Sequence, residues 1–242
     1  MTRLSVNINA VAYLRNRRAV GWPDVARIGR LVLEAGADGI TVHPRPDERH
    51  IRRADVPVLK ALAREFPGAE YNIEGFPDAD FLDLVERNAP DQVTFVPDDI
   101  DQVTSDHGWD VPAQAALLET AVARMKRAKI RVSIFIDADR RMPGPAADVG
   151  ADRVELYTGP YGASFRTAEG KRQLELLAAA AEAATGAGLG INAGHDLTLE
   201  NLPAFMKAVP RALECSIGHG ITADALLMGF PEAVRRYKFL LG

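Results

Sequence analysis

Short β-type runs alternate with longer amphipathic segments along the whole sequence, and the alternation occurs eight times. The predicted strands, rich in apolar and β-branched residues, span residues 3–9, 38–43, 70–75, 91–97, 130–137, 152–159, 189–194 and 213–218. The clearest predicted helices, with apolar residues at helical spacing, span residues 25–37, 81–89, 114–128, 171–188 and 223–241. Repeated βα units predict a parallel sheet, and eight of them predict closure into a (β/α)8 barrel.

A single α/β domain of the (β/α)8 TIM barrel class, covering residues 1–242, is therefore the predicted fold. A doubly wound open sheet is the alternative. It is disfavoured because no G-x-G-x-x-G motif follows the first strand and no shift in composition marks a second domain. Glycine-containing turns at residues 35–40, 149–154 and 186–191 are typical of helix ends that lead into the next strand.

The overall charge excludes some classes of partner. A formal net charge of -4 gives no basic excess to favour nucleic acid, so an anionic ligand must be held by local arginines. The N-terminus has no apolar stretch of signal-peptide length, and no run approaches the roughly 18 apolar residues of a membrane span. We therefore expect a cytoplasmic protein with no membrane partner. Cys215 is the single cysteine of the sequence, so an intramolecular disulfide is excluded, and it lies in an apolar run typical of a core.

Polar residues collect at the predicted C-terminal ends of the strands, where barrels of this class build their active sites. They are Asn7, Asn9, His43, Glu74, Glu155, Asn192, His195, Gly218 and His219. With His50 in the loop after the second strand, four of the five histidines fall on this face. A lone strand-end histidine is more often structural, but histidines and glutamates facing one mouth are what proton transfer near neutral pH requires.

Two glycine turns after the last two strands predict a phosphate site. They run into helices for which Thr198 and Thr222 are the predicted N-caps. Backbone N–H groups at such turns and helix starts bind phosphate. Arg18 and Arg45, after the first and second strands, predict a second anionic site across the mouth. Arg15 and Arg17, in the same arginine-rich segment as Arg18, are interpreted as solvated loop charges.

Some mechanisms are disfavoured by what the motifs lack. The first strand ends in N-x-N, and neither H-E-x-x-H nor C-x-x-C occurs, so no dedicated metal site is expected. None of the predicted strands contains a lysine, which disfavours a Schiff base with the protein. The mechanism that remains is acid–base catalysis by histidine and carboxylate groups on a phosphorylated small molecule.

The sequence resembles the pyridoxine 5'-phosphate synthase family over essentially the whole chain. The matching segments, in chain order, are VNINAVAYLRNRR, DGITVHPRPDERHI, NIEG, VTSDHGWDV, VSIFIDAD, VELYTGPY, INAGHDLT and SIGHGI. The resemblance implies a (β/α)8 barrel that needs no cofactor and joins 1-deoxy-D-xylulose 5-phosphate to 3-amino-2-oxopropyl phosphate. The implied products are pyridoxine 5'-phosphate, inorganic phosphate and water.

The resemblance also implies roles for individual residues. His43 and Glu74 match the family's proton acceptors, His195 matches its proton donor, and Glu155 matches a carboxylate that stabilises charged intermediates. Positions that hold the amino-oxopropyl phosphate are matched by Asn7, Arg18, Asp196, Gly218 and His219. Positions that hold the deoxyxylulose phosphate are matched by Asn9, Arg45, His50 and Thr104.

Two departures from the family pattern stand out. Asn9 and Ala10 replace a common Asp-His pair, and Asp196 stands where glycine is common. We expect the Asp196 side chain to face the helix N-terminus or solvent, because an inward carboxylate would repel phosphate. The loop over residues 97–111 is the predicted lid. The resemblance further implies a homo-oligomer, an octamer.

Two other functions fit the residues alone. The first is an isomerase or aldolase barrel that acts on another phosphosugar, since fold does not determine function. The second is a barrel without catalysis that binds a B6 phosphate. Turnover of a single phosphosugar without an amine partner would identify the first, and an incomplete set of proton-transfer residues would favour the second.

Overall fold

The protein is described by a computed structural model that covers residues 1–98, 102 and 104–242. The strands in these residues are β1 (Arg3–Asn7), β2 (Gly39–Val42), β3 (Glu70–Gly75), β4 (Gln92–Phe95), β5 (Arg131–Ile136), β6 (Arg153–Tyr157), β7 (Gly190–His195) and β8 (Ala212–Ile217). Each strand pairs in parallel with the next, and β8 pairs with β1, so the sheet closes. The (β/α)8 barrel is confirmed, and the predicted strand ends agree to within about two residues.

Helices surround the sheet and connect its strands. They are α1 (Asn9–Asn16), α2 (Val25–Glu34), α3 (Asp55–Arg64), α4 (Ala79–Asn88), α5 (Ala115–Arg127), α6 (Pro143–Asp148), α7 (Gly159–Ser164), α8 (Ala168–Gly186), α9 (Leu202–Ala208), α10 (His219–Met228) and α11 (Phe230–Leu241). The three predicted glycine turns are present: Gly36, Gly150 and Gly188 have φ of 103°, 88° and 77°. In this left-handed region glycine costs less than any other residue. No helix in the described part of the chain is long and apolar enough to span a membrane.

The segment after β1 differs from the prediction. Asn9 was expected to end the first strand, but it begins α1, because the Asn7 Oδ1 atom accepts a hydrogen bond from the Asn9 N–H at 3.0 Å. Such an Asx turn redirects the chain directly after the strand. The solvated-loop interpretation of Arg15 is also wrong: its guanidinium is buried and pairs with Asp55 at 2.7 Å. Arg17 is exposed, with its guanidinium over the Tyr13 ring.

Three helix boundaries also differ from the sequence prediction. Thr198 and Thr222 are not N-caps, because Asn201 and Gly218 occupy those positions. The Thr198 hydroxyl instead accepts a hydrogen bond from the Asn201 N–H at 3.3 Å. The last predicted helix is two helices, α10 and α11, because Gly229 has φ 81° and ψ 149° between them. A helical residue cannot adopt these angles, so the chain turns there.

Polar side chains line much of the barrel axis. Ser5 and Thr41 share a hydrogen bond of 2.7 Å, Asn72 donates to Thr41 at 3.4 Å, and Thr94 donates to Asn72 at 3.2 Å. The alternate strand residues are apolar and pack against the helices in one continuous core, which includes Leu4, Val6, Ile40, Val42, Ile73, Val93 and Ile134. Successive strand residues point to opposite faces of a sheet, so one alternating sequence pattern builds both surfaces.

An ion-pair network fills the N-terminal end of the barrel. Glu70 at the start of β3 pairs with both Arg3 and Arg131. Arg153 lies 3.9 Å from the Glu214 carboxylate and pairs across to β8. The opposite, C-terminal end therefore carries the unpaired polar side chains, and the predicted catalytic residues lie there.

Candidate active site

Four ionisable side chains meet at the C-terminal end of the barrel. His43 follows the last residue of β2, Glu74 and Glu155 lie in β3 and β6, and His195 ends β7. His43, Glu74 and Glu155 are all buried, and Glu155 is 0% exposed. The structure thus brings together the four residues that the sequence analysis assigned to catalysis.

His43 is held by its backbone and screened from water. Its N–H donates to the Asn9 Oδ1 atom at 2.9 Å, so the helix start after β1 positions the end of β2. Burial, and then the neighbouring charges of His50 and Arg45, lowers the pKa of His43 well below its usual 6.5. The imidazole is therefore neutral at pH 7 and able to accept a proton.

Glu74 has the opposite shift. Burial, and then the charges of Glu155 and Asp98, raises the pKa of the Glu74 carboxyl well above its usual 4.5. Its Oε2 atom accepts a hydrogen bond from the Asn7 Nδ2 atom at 3.2 Å, and its Oε1 atom is buried with no partner in the described residues. A buried carboxyl with one open oxygen is ready to exchange a proton with a ligand.

His195 and Glu155 form a second proton-carrying pair. The His195 Nδ1 atom lies 3.9 Å from Glu155 Oε1, and neither this nitrogen nor the two Glu155 carboxyl oxygens has a hydrogen-bond partner in the described part of the chain. Burial lowers the pKa of His195, while burial and the Glu214 charge raise the pKa of Glu155 to about 8. The pair therefore holds a proton near neutral pH on one member or the other.

Aromatic rings and an unusual backbone fix the His195 ring. The Phe135 ring centroid is 4.8 Å away, and the Tyr157 ring contacts His195 edge-on at 5.8 Å. His195 has φ 92°, which is uncommon for a residue with a side chain and is concentrated at functional sites. The preceding Gly194 has no space for a side chain, because an added Cβ would lie 2.6 Å from Glu155 Oε1.

Arg45 and His50 lie on one side of the mouth. The Arg45 Nη2 atom pairs with Asp98 Oδ2 at 2.5 Å, and its Nη1 atom donates to the Gln102 carbonyl oxygen at 2.5 Å. The His50 Nδ1 atom accepts from the Ile51 N–H at 3.0 Å, so its ring proton is on Nε2. Burial, and then Arg45, lowers the pKa of His50 to about 4, which leaves a neutral donor at pH 7.

The phosphate site predicted at the glycine turns lies where β8 meets α10. Gly218 is the N-cap of α10, and it packs so closely on β1 that an added Cβ would be 3.0 Å from the Asn7 carbonyl oxygen. His219 begins the helix and is exposed. Asp196 is exposed too, and its carbonyl oxygen accepts from Asn201 Nδ2 at 2.9 Å. Asn7, Gly218 and His219 therefore surround a helix N-terminus that favours anions.

Two predicted binding residues lie apart from this cluster. Arg18 is exposed after α1 and forms no side-chain hydrogen bond or ion pair with the residues that the structure describes. Thr104 is exposed as well. The predicted lid at residues 97–111 includes residues 99–101 and 103, which lie outside the described residues.

A cavity of about 540 Å³ opens beside His43. Its wall consists of His43, Arg45, Pro46, Asp47, Phe76, Asp78, Pro97 and Asp98. The sequence analysis missed Asp98, because an acidic residue in an acidic loop resembles a solvated charge, and it missed the aromatic contacts of His195. Among the described residues, no group of three or more His, Cys, Asp or Glu side chains is placed to hold a metal ion.

Comparison with known proteins identifies the family. The family model described as "Pyridoxal phosphate biosynthesis protein PdxJ" matches residues 4–242. A pyridoxine 5'-phosphate synthase from Brucella anthropi is 58% identical over 237 residues, which cover 97% of each chain. A protein of the same name from Allorhizobium ampelinum is 55% identical over 244 residues, covering 99% of this chain and 98% of the relative.

Solved structures agree on the fold alone. Phosphoribosyl anthranilate isomerase from Thermotoga maritima superposes with a TM-score of 0.62 at 14% identity, covering 100% of this chain and 98% of the isomerase. Such low identity supports the barrel and carries no information on the reaction. The two relatives, by contrast, match nearly the whole chain at more than half identity, and this match shows the family. The chain is a biosynthetic enzyme of the pyridoxal phosphate biosynthesis protein PdxJ family.

Proposed function

We propose that this enzyme condenses 1-deoxy-D-xylulose 5-phosphate with 3-amino-2-oxopropyl phosphate to form pyridoxine 5'-phosphate, inorganic phosphate and water. The supporting observation is the set of four proton-transfer groups at one mouth, three of them buried, with two imidazoles of lowered pKa and two carboxyls of raised pKa. The names of the relatives point to the same product. Both substrates carry a phosphate, and both anionic sites lie on this face.

The first bond forms between the substrates. The amine of one attacks the carbonyl of the other and loses water, so the imine does not involve the protein. The strands of the barrel contain no lysine, in agreement with this route. The work left to the protein is to orient the two phosphates and to move protons.

His43 and Glu74 accept protons in the proposed mechanism. His43 is neutral at pH 7, so it removes a proton from carbon or nitrogen during condensation and ring closure. Glu74 has a raised pKa, which makes its ionised form a stronger base than an exposed glutamate. Its buried Oε1 atom, without a partner in the described residues, is the one available to substrate.

His195 donates protons to oxygens that leave as water. The Glu155 Oε1 atom lies 3.9 Å from His195 Nδ1, and its pKa of about 8 leaves the carboxyl able to take up or release a proton near neutral pH. In its ionised form, Glu155 stabilises positive charge on His195 or on the ring intermediates. Phe135 and Tyr157 keep the ring aimed while this happens.

The two phosphates occupy separate positions in this proposal. Arg45 in the cavity wall and the His50 Nε2–H hold the deoxyxylulose phosphate, together with Asn9 and Thr104, which the resemblance assigns to it. The N-terminus of α10, with Asn7, Gly218, His219 and the backbone at Asp196, holds the amino-oxopropyl phosphate. Arg18 is assigned to the second phosphate by the resemblance alone.

The deciding experiment mixes the purified enzyme with both substrates, with the unstable aminoketone generated in place. We expect the absorbance of the pyridoxine phosphate ring to rise in stoichiometric step with released phosphate. Each substrate is also incubated alone with the enzyme. Turnover of one phosphosugar without the amine would favour an isomerase or aldolase, and binding of pyridoxine phosphate without any turnover would favour a binding protein.

A further inference from the structure

Asp98 is a buried carboxylate at the wall of the cavity beside His43. It follows β4 and is 9% exposed. Its Oδ2 atom accepts two short hydrogen bonds, from Arg45 Nη2 at 2.5 Å and from Ser105 Oγ at 2.6 Å. Its Oδ1 atom is buried and has no hydrogen-bond partner in the described part of the chain. The Oδ2 atom thus binds two donors of the protein, whereas the Oδ1 atom binds none in the described residues.

The other two carboxylates of the wall are different. Asp47 accepts from the Arg49 backbone and side chain through both of its oxygens. Asp78 is exposed, and its Oδ1 atom accepts from the Phe81 N–H at 2.7 Å as the N-cap of α4. A buried carboxylate oxygen without a donor is costly, so the open oxygen of Asp98 indicates that a ligand supplies the donor.

The nearby charges limit what that donor is. A carboxylate accepts hydrogen bonds only, so a phosphate oxygen is excluded. Arg45 and Arg49 both lower the pKa of His43 and of His50, so a positive charge is disfavoured in this part of the mouth. A neutral hydroxyl group is the donor that fits. Because Arg45 shares the same wall, the hydroxyl belongs to a ligand whose phosphate lies on Arg45.

We propose that Asp98 binds a hydroxyl group of the phosphorylated sugar substrate through Oδ1, while its Oδ2 atom holds Arg45 in place for the phosphate. This inference rests on the proposed function, since it assigns the sugar phosphate to the Arg45 side. Deoxyxylulose phosphate carries hydroxyl groups on its chain, and the keto form of the amino-oxopropyl phosphate carries none. Asp98 therefore selects which substrate enters this half of the site.

The test compares Asp98→Asn with the matched control Asp78→Asn, which removes the same charge from the same wall and keeps the cap. Calorimetric titration uses two probes, inorganic phosphate and deoxyxylulose phosphate. We expect Asp98→Asn to weaken the binding of deoxyxylulose phosphate by about tenfold or more, because a charged hydrogen bond is lost. The affinity for inorganic phosphate should be unchanged or higher. Asp78→Asn should change neither. Equal weakening of both probes would show that Asp98 acts only through Arg45 and overturn the proposal.

A second measurement works even if Asp98→Asn unfolds at low temperature. The intact enzyme is titrated with deoxyxylulose phosphate analogues that each lack one chain hydroxyl. One analogue should bind the intact enzyme about tenfold more weakly than deoxyxylulose phosphate does. Equal affinity for deoxyxylulose phosphate and every analogue would overturn the hydroxyl contact. Where Asp98→Asn folds, the weakened analogue should lose nothing further in that variant, and full additivity for every analogue would also overturn the contact.

The outcomes separate this inference from the proposed function. If the intact enzyme makes pyridoxine phosphate and Asp98→Asn behaves as Asp78→Asn does, the inference fails and the function stands. If the intact enzyme binds neither deoxyxylulose phosphate nor its analogues, the proposed function itself fails.

Discussion

At the scale of single residues, burial decides the protonation of the mouth. His43 and His195 lose their positive charge at neutral pH because desolvation lowers the pKa of each imidazole. Desolvation raises the pKa of the Glu74 carboxyl well above its usual 4.5 and the pKa of the Glu155 carboxyl to about 8. In water at pH 7 the carboxyls would be ionised and the imidazoles partly charged. Burial therefore disfavours the charged form of all four groups.

Removal of either proton acceptor should stop the reaction. We expect His43→Ala and Glu74→Gln to lower kcat by about 10²- to 10⁴-fold, because general base catalysis contributes that much. Far-UV circular dichroism should show an intact barrel in both variants. Product formation near the normal rate in either one would contradict its catalytic role.

Arg45 should affect one substrate far more than the other. Arg45→Ala is expected to raise the KM for deoxyxylulose phosphate by about tenfold or more and to change the KM for the aminoketone little, since one charged contact is lost. The change also leaves Asp98 buried without its partner, so Arg45→Lys serves as the control that keeps the charge. An equal rise in both KM values would contradict the assignment.

Glu155 should make stability depend on pH. The folded pKa of about 8 lies above the usual 4.5, so between these values the folded protein keeps a proton that the unfolded chain releases. Stability from this group is complete below pH 4.5 and is lost as pH rises through about 8. Glu155→Gln cannot titrate, so its free energy of unfolding relative to the parent should rise across this window. Urea denaturation of both proteins at pH 5 and pH 8 measures this difference. The same difference in free energy of unfolding at both pH values would contradict the raised pKa.

At the scale of elements, the ends of strands determine the site. The β1–α1 junction turns at Asn7 and places Asn9 where it binds the backbone of His43 on β2. The end of β7 bends at His195, with φ 92°, and directs that ring toward Glu155 on β6. Two of the proposed catalytic residues are thus positioned by neighbouring elements: His43 is held by the start of α1, and His195 approaches Glu155 on β6.

Gly194 is the position in β7 where this arrangement is tightest. An alanine Cβ would lie 2.6 Å from Glu155 Oε1 and 2.7 Å from the Ser216 carbonyl oxygen. We expect Gly194→Ala to destabilise the barrel by about 1–3 kcal/mol, the cost of overpacking, and to lower kcat. Thermal unfolding measures the change in stability, and the rate of pyridoxine phosphate formation measures the change in kcat. Gly186→Ala at the end of α8, with no atom within 4 Å of the new Cβ, should be neutral or stabilising.

At the scale of the whole molecule, the barrel has an unusual division of polarity. Its axis is lined by hydroxyl, amide and carboxyl groups, while the apolar core lies between the sheet and the helices. The outer face of α10 and α11 exposes Leu226, Leu227 and Phe239, each at more than three quarters of its full area. Exposed apolar side chains grouped on neighbouring helices are typical of protein–protein contacts.

The resemblance to an octameric family leads to a prediction for this surface. We expect light scattering to give a mass about eight times the 26.2 kDa of one chain. Leu227→Asp should lower that mass, because the new charge would be desolvated in a contact between copies. Glu182→Lys, an exposed change on α8, is the control and should leave the mass unchanged. A monomeric parent would contradict the expectation.

The alternation of strands and helices was readable from the sequence because the periodicities of two and 3.6 are local properties of the chain. The same logic placed His43, Glu74, Glu155 and His195 at one mouth, since parallel strands end on the same face. It failed at Asn9 and Arg15, where a single Asx hydrogen bond and a partner 40 residues away replaced a strand end and a loop.

The sequence by itself thus determined the barrel, its family and the residue types at its mouth. Only the tertiary structure decided the surroundings of those residues. Burial, the 3.9 Å approach of His195 to Glu155 and the open oxygen of Asp98 all depend on contacts between segments far apart in the chain. Desolvation and charge interactions are set by the surroundings of a group in space, and no local pattern of residues encodes them.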